Sequence, residues 1–174
     1  ANLLLSGTGS ATMKVSKNVV INTGAGIETA SGDLTMEANQ QATPTNGTFI
    51  GVDNAGLLRA TGSGTVSIKG TGGTVSNLQI GIRVSSGGDI IGGSSGTLTL
   101  EGTGGTGSGN NNHGIYISDA GTTITSSGGN ITLIGVEGEG MFSTGIHYLN
   151  SGNISTASNG GNISLIANSM QVAA

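Results

Sequence analysis

The chain has 174 residues, with 35 glycines, one proline and no cysteine, and its five basic against nine acidic residues give a formal net charge of −4. That composition excludes a disulfide framework or thiolate metal site, a basic stripe for nucleic acid or an anionic membrane, and any run of about 18 apolar residues able to cross a bilayer. Glycine at this level without a Gly-X-Y period excludes collagen, and regularly spaced apolar pairs exclude a disordered chain.

In chain order, the sequence begins at Ala1 without a basic region followed by an apolar core, so any export signal is expected to be already removed or to lie outside this segment. A faint copy of a repeated unit follows, NLLLSG from Asn2. The unit then recurs as SGDLTMEA from Ser31, SGTVSIKG from Ser63, SGTLTLEG from Ser95, SGGNITLIG from Ser127 and GGNISLIA from Gly160. The residues before its first apolar position, Asp33, Thr65, Thr97, Asn130 and Asn162, are spaced 32, 32, 33 and 32 residues apart. A fixed period of this length marks a repeat architecture in which each unit buries its apolar edge on its neighbours. The chain therefore divides into repeats near 2–32, 33–64, 65–96, 97–129, 130–161 and a partial 162–174, all within one domain spanning 1–174.

Each period holds three short runs. The first carries the pairs Leu34/Met36, Val66/Ile68, Leu98/Leu100, Ile131/Leu133 and Ile163/Leu165. Period-two spacing sends both members of a pair to one face, here inward. The second run gives the inward pairs Val19/Ile21, Ile50/Val52, Ile82/Val84, Ile115/Ile117 and Ile146/Tyr148. A third, weaker run centres on Ile27, Leu57 to Leu58, Ile90 to Ile91, Ile124 and Ile154, with turn residues on both sides. No window carries a helical period.

The predicted fold is an all-β, right-handed parallel β-helix with three short strands per coil of about 32 residues, roughly five coils and essentially no helix; right-handed crossovers are the strong default. The variable connections between first and second runs, NQQATPTNGT from Asn39, TGGTVSNLQ from Thr71, GTGGTGSGNNN from Gly102 and VEGEGMFST from Val136, are expected on one side of the rod. No capping helix or polar terminal repeat is evident. The coil ends are therefore expected to be open strand edges, as in a piece of a longer solenoid or a subunit stacked end to end.

The GGNITLIG and GGNISLIA units, with GTLTLEG and SGDLTMEA as variants, resemble the repeats of filamentous-haemagglutinin-type bacterial surface adhesins, exported by two-partner secretion, and those of autotransporter passenger domains. The resemblance covers nearly the whole chain. It implies a right-handed parallel β-helix rod outside the cell, at the bacterial surface, used for adhesion or as a stalk.

The outward positions offer the candidate functional columns. Thr35, Ser67, Thr99, Thr132 and Ser164 stack on the first strand, preceded by Asp33, Thr65, Thr97, Asn130 and Asn162. Such a hydroxyl ladder suggests ice or polysaccharide binding, although only Thr97/Thr99 is a Thr-x-Thr pair and the same residues are ordinary outward strand residues. The next column reads Glu37, Lys69, Glu101, Ile134, Ile166. Its charged part is a surface ladder: Glu37 and Glu101, two coils apart, fall near the upper end of an inverting-glycosidase spacing, but Lys69 lies between them and no partner carboxylate shares the face, so catalysis is not expected, while Ile134 and Ile166 suggest contact with another chain. On the second strand the outward column is Val20, Gly51, Arg83, Tyr116, His147; its ordinary reading is a mixed surface column, and the alternative is that Arg83, Tyr116 and His147 grip a sugar by ring stacking and hydrogen bonding. His113 and His147 lack metal-ligand spacing, so no metal or cofactor is expected.

These readings converge on a non-enzymatic extracellular structural or adhesive β-solenoid, a segment of a large adhesin or a subunit of an end-to-end filament. Its partners are expected to be copies of itself, end to end or laterally, or flanking repeats of the same chain, and glycans. The alternative is ice or polysaccharide binding through the Thr/Ser ladder.

Overall fold

A computed structural model describes residues 1–149 and 152–173. Their regular structure is all strand, arranged as three parallel sheets of six strands each. The first sheet gathers the repeated unit: β2 (Ala11–Val15), β5 (Leu34–Ala38), β8 (Val66–Thr71), β11 (Leu98–Thr103), β14 (Ile131–Val136) and β17 (Ile163–Ala167). The second holds β3 (Val19–Ile21), β6 (Val52–Asn54), β9 (Ile82–Val84), β12 (Ile115–Ile117), β15 (Ile146–Leu149) and β18 (Met170–Ala173). The third holds β1 (Asn2–Leu5), β4 (Gly26–Thr29), β7 (Leu57–Ala60), β10 (Asp89–Gly92), β13 (Thr123–Ser126) and β16 (Asn153–Thr156). The chain visits the sheets in rotation and pairs each strand with its counterpart one coil away, giving a β-solenoid of about five turns at about 32 residues per coil.

Alternation along each strand builds the core. Leu34/Met36, Val66/Ile68, Leu98/Leu100 and Ile131/Leu133 of the first sheet are fully buried, as are Leu58, Ile90 and Ile124 of the third and Ile82/Val84 and Ile115/Ile117 of the second. Each such side chain contributes about 1.5–3 kcal/mol relative to an exposed position. The gain exists only because the neighbouring coils cover it.

Two sequence expectations are corrected here. The Asn2–Leu5 run is not a first copy of the repeated unit: it pairs with Gly26–Thr29 in the third sheet, Leu3 opposite Ile27. The first copy is β2, with Ala11 opposite Leu34 and Met13 opposite Met36. Consecutive leucines imitate the unit, and β2 escapes notice because the first coil has only three residues between β2 and β3, which breaks the period. In the second sheet the pair in phase is Val52/Asn54 rather than Ile50/Val52, since Val52 sits opposite both Val19 and Ile82. Asn54 is fully buried, and its amide is satisfied by donating to Gly56 O at 3.2 Å and Asp89 O at 3.3 Å. A polar residue on an inward position hid the register.

The connections between first and second sheets are ordered rather than loose. Side chains there replace missing strand pairing: Phe49 N donates to Gln79 Oε1 at 2.8 Å, Gln79 N to Asn112 Oδ1 at 2.9 Å and Asn112 N to Ser143 Oγ at 3.0 Å. Gln79 and Asn112 are fully buried. Each coil thus fixes the corner of the one before it, which holds the neighbouring surface of the second sheet in a defined shape.

Candidate functional site

The sequence-predicted ladder exists as one row. Thr35, Ser67, Thr99, Thr132 and Ser164 lie in register on adjacent strands, and Thr12 extends it. The residues two positions earlier are occupied with the main chain: Asp33 Oδ1 accepts from Thr65 N at 2.8 Å and Asn130 Oδ1 from Asn162 N at 2.8 Å. The neighbouring column pairs Lys14 with Glu37 at 2.9 Å and Lys69 with Glu101 at 2.8 Å, then continues into half-buried Ile134 and exposed Ile166. Both carboxylates are therefore committed to lysines, and Ile134 and Ile166 lie on a different sheet from Arg83, Tyr116 and His147.

The second sheet brings together more than its sequence column showed. The residue in line with Arg83 is Asp53, not Gly51, and the row reads Val20, Asp53, Arg83, Tyr116, His147. Arg83 grips Asp53 with both ends of its fork, Nε to Oδ1 at 2.8 Å and Nη2 to Oδ2 at 2.6 Å. The hydrogen bond and charge of Asp53 push the Arg83 pKa further up against the opposing effect of burial. Beside this row run two others. The floor is Ile50, Ile80, His113 and Thr144, set in line because Gly51, Gly81 and Gly114, which follow the first three, donate to the carbonyls of Ile80, His113 and Thr144. The outer wall is Leu78 and Asn111, both in the left-handed region at φ 59° and 60°. A bulky side chain there is uncommon and costs roughly 1–2 kcal/mol.

Three rings meet in this recess. His113, 1% exposed, stacks on Tyr116 at 5.5 Å between centroids, and His147 meets both edge-on at 4.4 and 5.4 Å. Thr144 N donates to His113 Nδ1 at 3.2 Å, and a main-chain N–H can only donate, so the His113 proton is on Nε2. Nε2 lies 3.1 Å from His147 Nδ1, which must then accept, placing the His147 proton on its own Nε2. That last N–H is closed off from solvent and has no acceptor among the described residues. The same order of protons opposes a metal bridging the two rings, because a neutral His113 ligating through Nε2 would turn an N–H toward the Thr144 N–H. Burial, joined by the neighbouring His147, lowers the His113 pKa to about 4, and burial lowers that of His147 as well.

Sequence reasoning found Arg83, Tyr116 and His147, weighed His113 only as a metal ligand, and missed Asp53, Leu78 and Asn111. The signal was the recurring glycine: aligning the second run on Gly51, Gly81, Gly114 and Gly145 instead of on apolar pairs puts Asp53 beside Arg83 and His113 beneath Tyr116. Comparison of the chain with protein-family models, curated proteins and solved structures gave no match.

Proposed function

We propose that the chain is a non-enzymatic structural β-solenoid, a rod segment of a surface adhesin or filament that works outside the cell and whose end faces dock on further coils. The observation that carries this reading is the condition of the inward ladder at the end coils. Leu100 and Leu133 are fully buried, whereas Leu165 in the same row is 38% exposed, Ile163 beside it 42% and Val172 65%. At the opposite face the inward residues Leu3 and Val15 are exposed too.

The two faces are matched in form. Three parallel strands end each face, β1, β2 and β3 at one and β16, β17 and β18 at the other, and both β2–β3 and β17–β18 are joined by short connections without the long corner of the middle coils. Laid one on the other in the register of the interior, Ile163 meets Ala11 and Leu165 meets Met13, apolar on apolar. Unpaired strand edges with an apolar interior are templates for further pairing.

Negative-stain electron microscopy of the purified chain over a range of concentrations tests the docking. Long thin fibres one rod wide, appearing as concentration rises, are the expected result. Short dispersed particles at every concentration would remove self-assembly, leaving only coils of the same chain as the partner of each face.

A further inference from the structure

The groove along the second sheet offers a site that the end faces do not need. Two recesses of about 400 and 410 Å³ meet at Leu78, each of a size that holds a small ligand. One is bounded by Val20, Ile50 and Asp53, the other by Arg83, Tyr116 and His147. Together they run past five successive strands, about 19 Å at the 4.8 Å spacing of paired strands. Their common wall is Leu78, 50% exposed and held in a left-handed backbone conformation. Strain kept at one wall of a groove is a sign of use.

We propose that this groove binds an uncharged, extended polysaccharide, with successive pyranose rings lying along the rod axis. Tyr116 offers an aromatic ring whose orientation is fixed by His113 and His147, and Leu78, half exposed, offers apolar surface for the C–H face of a neighbouring ring. The Asp53–Arg83 pair presents carboxylate oxygens and guanidinium hydrogens side by side, the pattern that serves vicinal hydroxyls. Among the described residues Arg83 Nη1 has no acceptor, and Asn111 adds an amide at the wall. Charge decides the class of sugar: Arg83 is neutralised by Asp53 and both histidines are neutral, so the centre of the groove holds no net positive charge for a uronic or sulfated chain, and the nearby cation Lys17 lies over the Phe49 ring at one end.

Topology decides against an extended peptide. Such a ligand draws its affinity from a free strand edge, and β9 and β12, which form the centre of the groove, are paired on both sides. With about 4.8 Å from strand to strand, successive strands present different side chains to successive rings of an extended chain.

The site stands apart from the end faces and from the Thr/Ser ladder, and the test separates all three. The dispersed, fluorescently labelled chain is applied to an array of neutral polysaccharides (glucans, mannans, galactans and xylans) beside acidic ones (pectins and heparin) and an immobilised extended peptide. Retention on a neutral polysaccharide is expected, weakened about tenfold or more in Tyr116→Ala, the scale of one lost aromatic contact. Leu78→Arg, which changes an exposed residue and leaves the interior intact, should weaken it similarly, while Thr99→Lys on the ladder should leave it unchanged. Circular dichroism of each variant confirms the fold. Retention on acidic polysaccharides or peptide alone, on nothing at all, or undiminished in folded Leu78→Arg would overturn the proposal, as would loss in Thr99→Lys alone.

Discussion

His113 ties the acidity of the solution to folding through one ring. It occupies a row otherwise filled by Ile50, Ile80 and Thr144, and its Nδ1 is already accepting from Thr144 N, so a second proton must break that bond. Its pKa in the fold is about 4 against an ordinary 6.5, with burial the first cause and His147 the second. Because the folded value is the lower one, the unfolded chain takes up the proton first as pH falls. This contribution is whole above about pH 6.5 and is lost on descending to about 4. A shift of that size is worth on the order of 2–3 kcal/mol. Urea unfolding between pH 7 and about 4 should show this loss in the native chain. It should be much smaller in His113→Ile, which carries the neighbouring coil's residue. An identical loss in both would place the effect in the carboxylates instead.

At the scale of the strand and its turn, the glycine two residues before the first inward position explains the repeated unit. Gly9, Gly32, Gly64, Gly96, Gly129 and Gly161 occupy that place in all six strands of the first sheet. A Cβ on Gly96 would lie 2.0 Å from Gly64 O, and one on Gly129 1.8 Å from Gly96 O. Main chain there touches main chain, and no rotamer relieves it. Gly96→Ala should therefore cost about 3 kcal/mol in urea unfolding. Gly87, whose φ of +75° leaves nothing within 4 Å of a Cβ, should cost only about 1 kcal/mol on the same change. Equal costs would mean that backbone conformation, not contact, selects glycine at this corner.

This distinction also explains what the sequence made legible. The period and the alternation of Leu98/Leu100 or Ile131/Leu133 mark strands directly, because inward residues must be apolar wherever two coils cover them. The register of β6 was obscured by Asn54, which is inward yet satisfied by main-chain groups, and by Ile50, which is apolar yet lies on the groove floor. The ring cluster was obscured because His113 and His147 are 34 residues apart, and only a correct coil alignment shows them to be neighbours.

For the whole molecule, stability is a property of position along the rod. Among the described residues, a middle strand such as β11 is paired on both sides, with β8 and β14, while β17 is paired only with β14 and β18 only with β15. Each coil adds its own term plus that of its contacts, so opening begins at the faces and moves inward. Amide hydrogen exchange on the dispersed chain should be fastest in β17, β18 and β1 and slowest in β8 and β11. On assembled material the end strands should slow toward the middle ones, and end strands as fast in fibres as in dispersed chain would show that fibres form by side contacts. The glycine corner adds a consequence for how such a chain can change length. Gly96 requires of the preceding coil only that a glycine carbonyl stand beneath it, and Gly64 and Gly129 make the same demand of their own predecessors. Coils meeting that condition are interchangeable parts. A gene duplication that copies one whole unit inserts a coil without disturbing its neighbours, whereas a single-residue insertion at this corner would be rejected and one in the long connection absorbed, as the 33-residue step between Thr97 and Asn130 already illustrates.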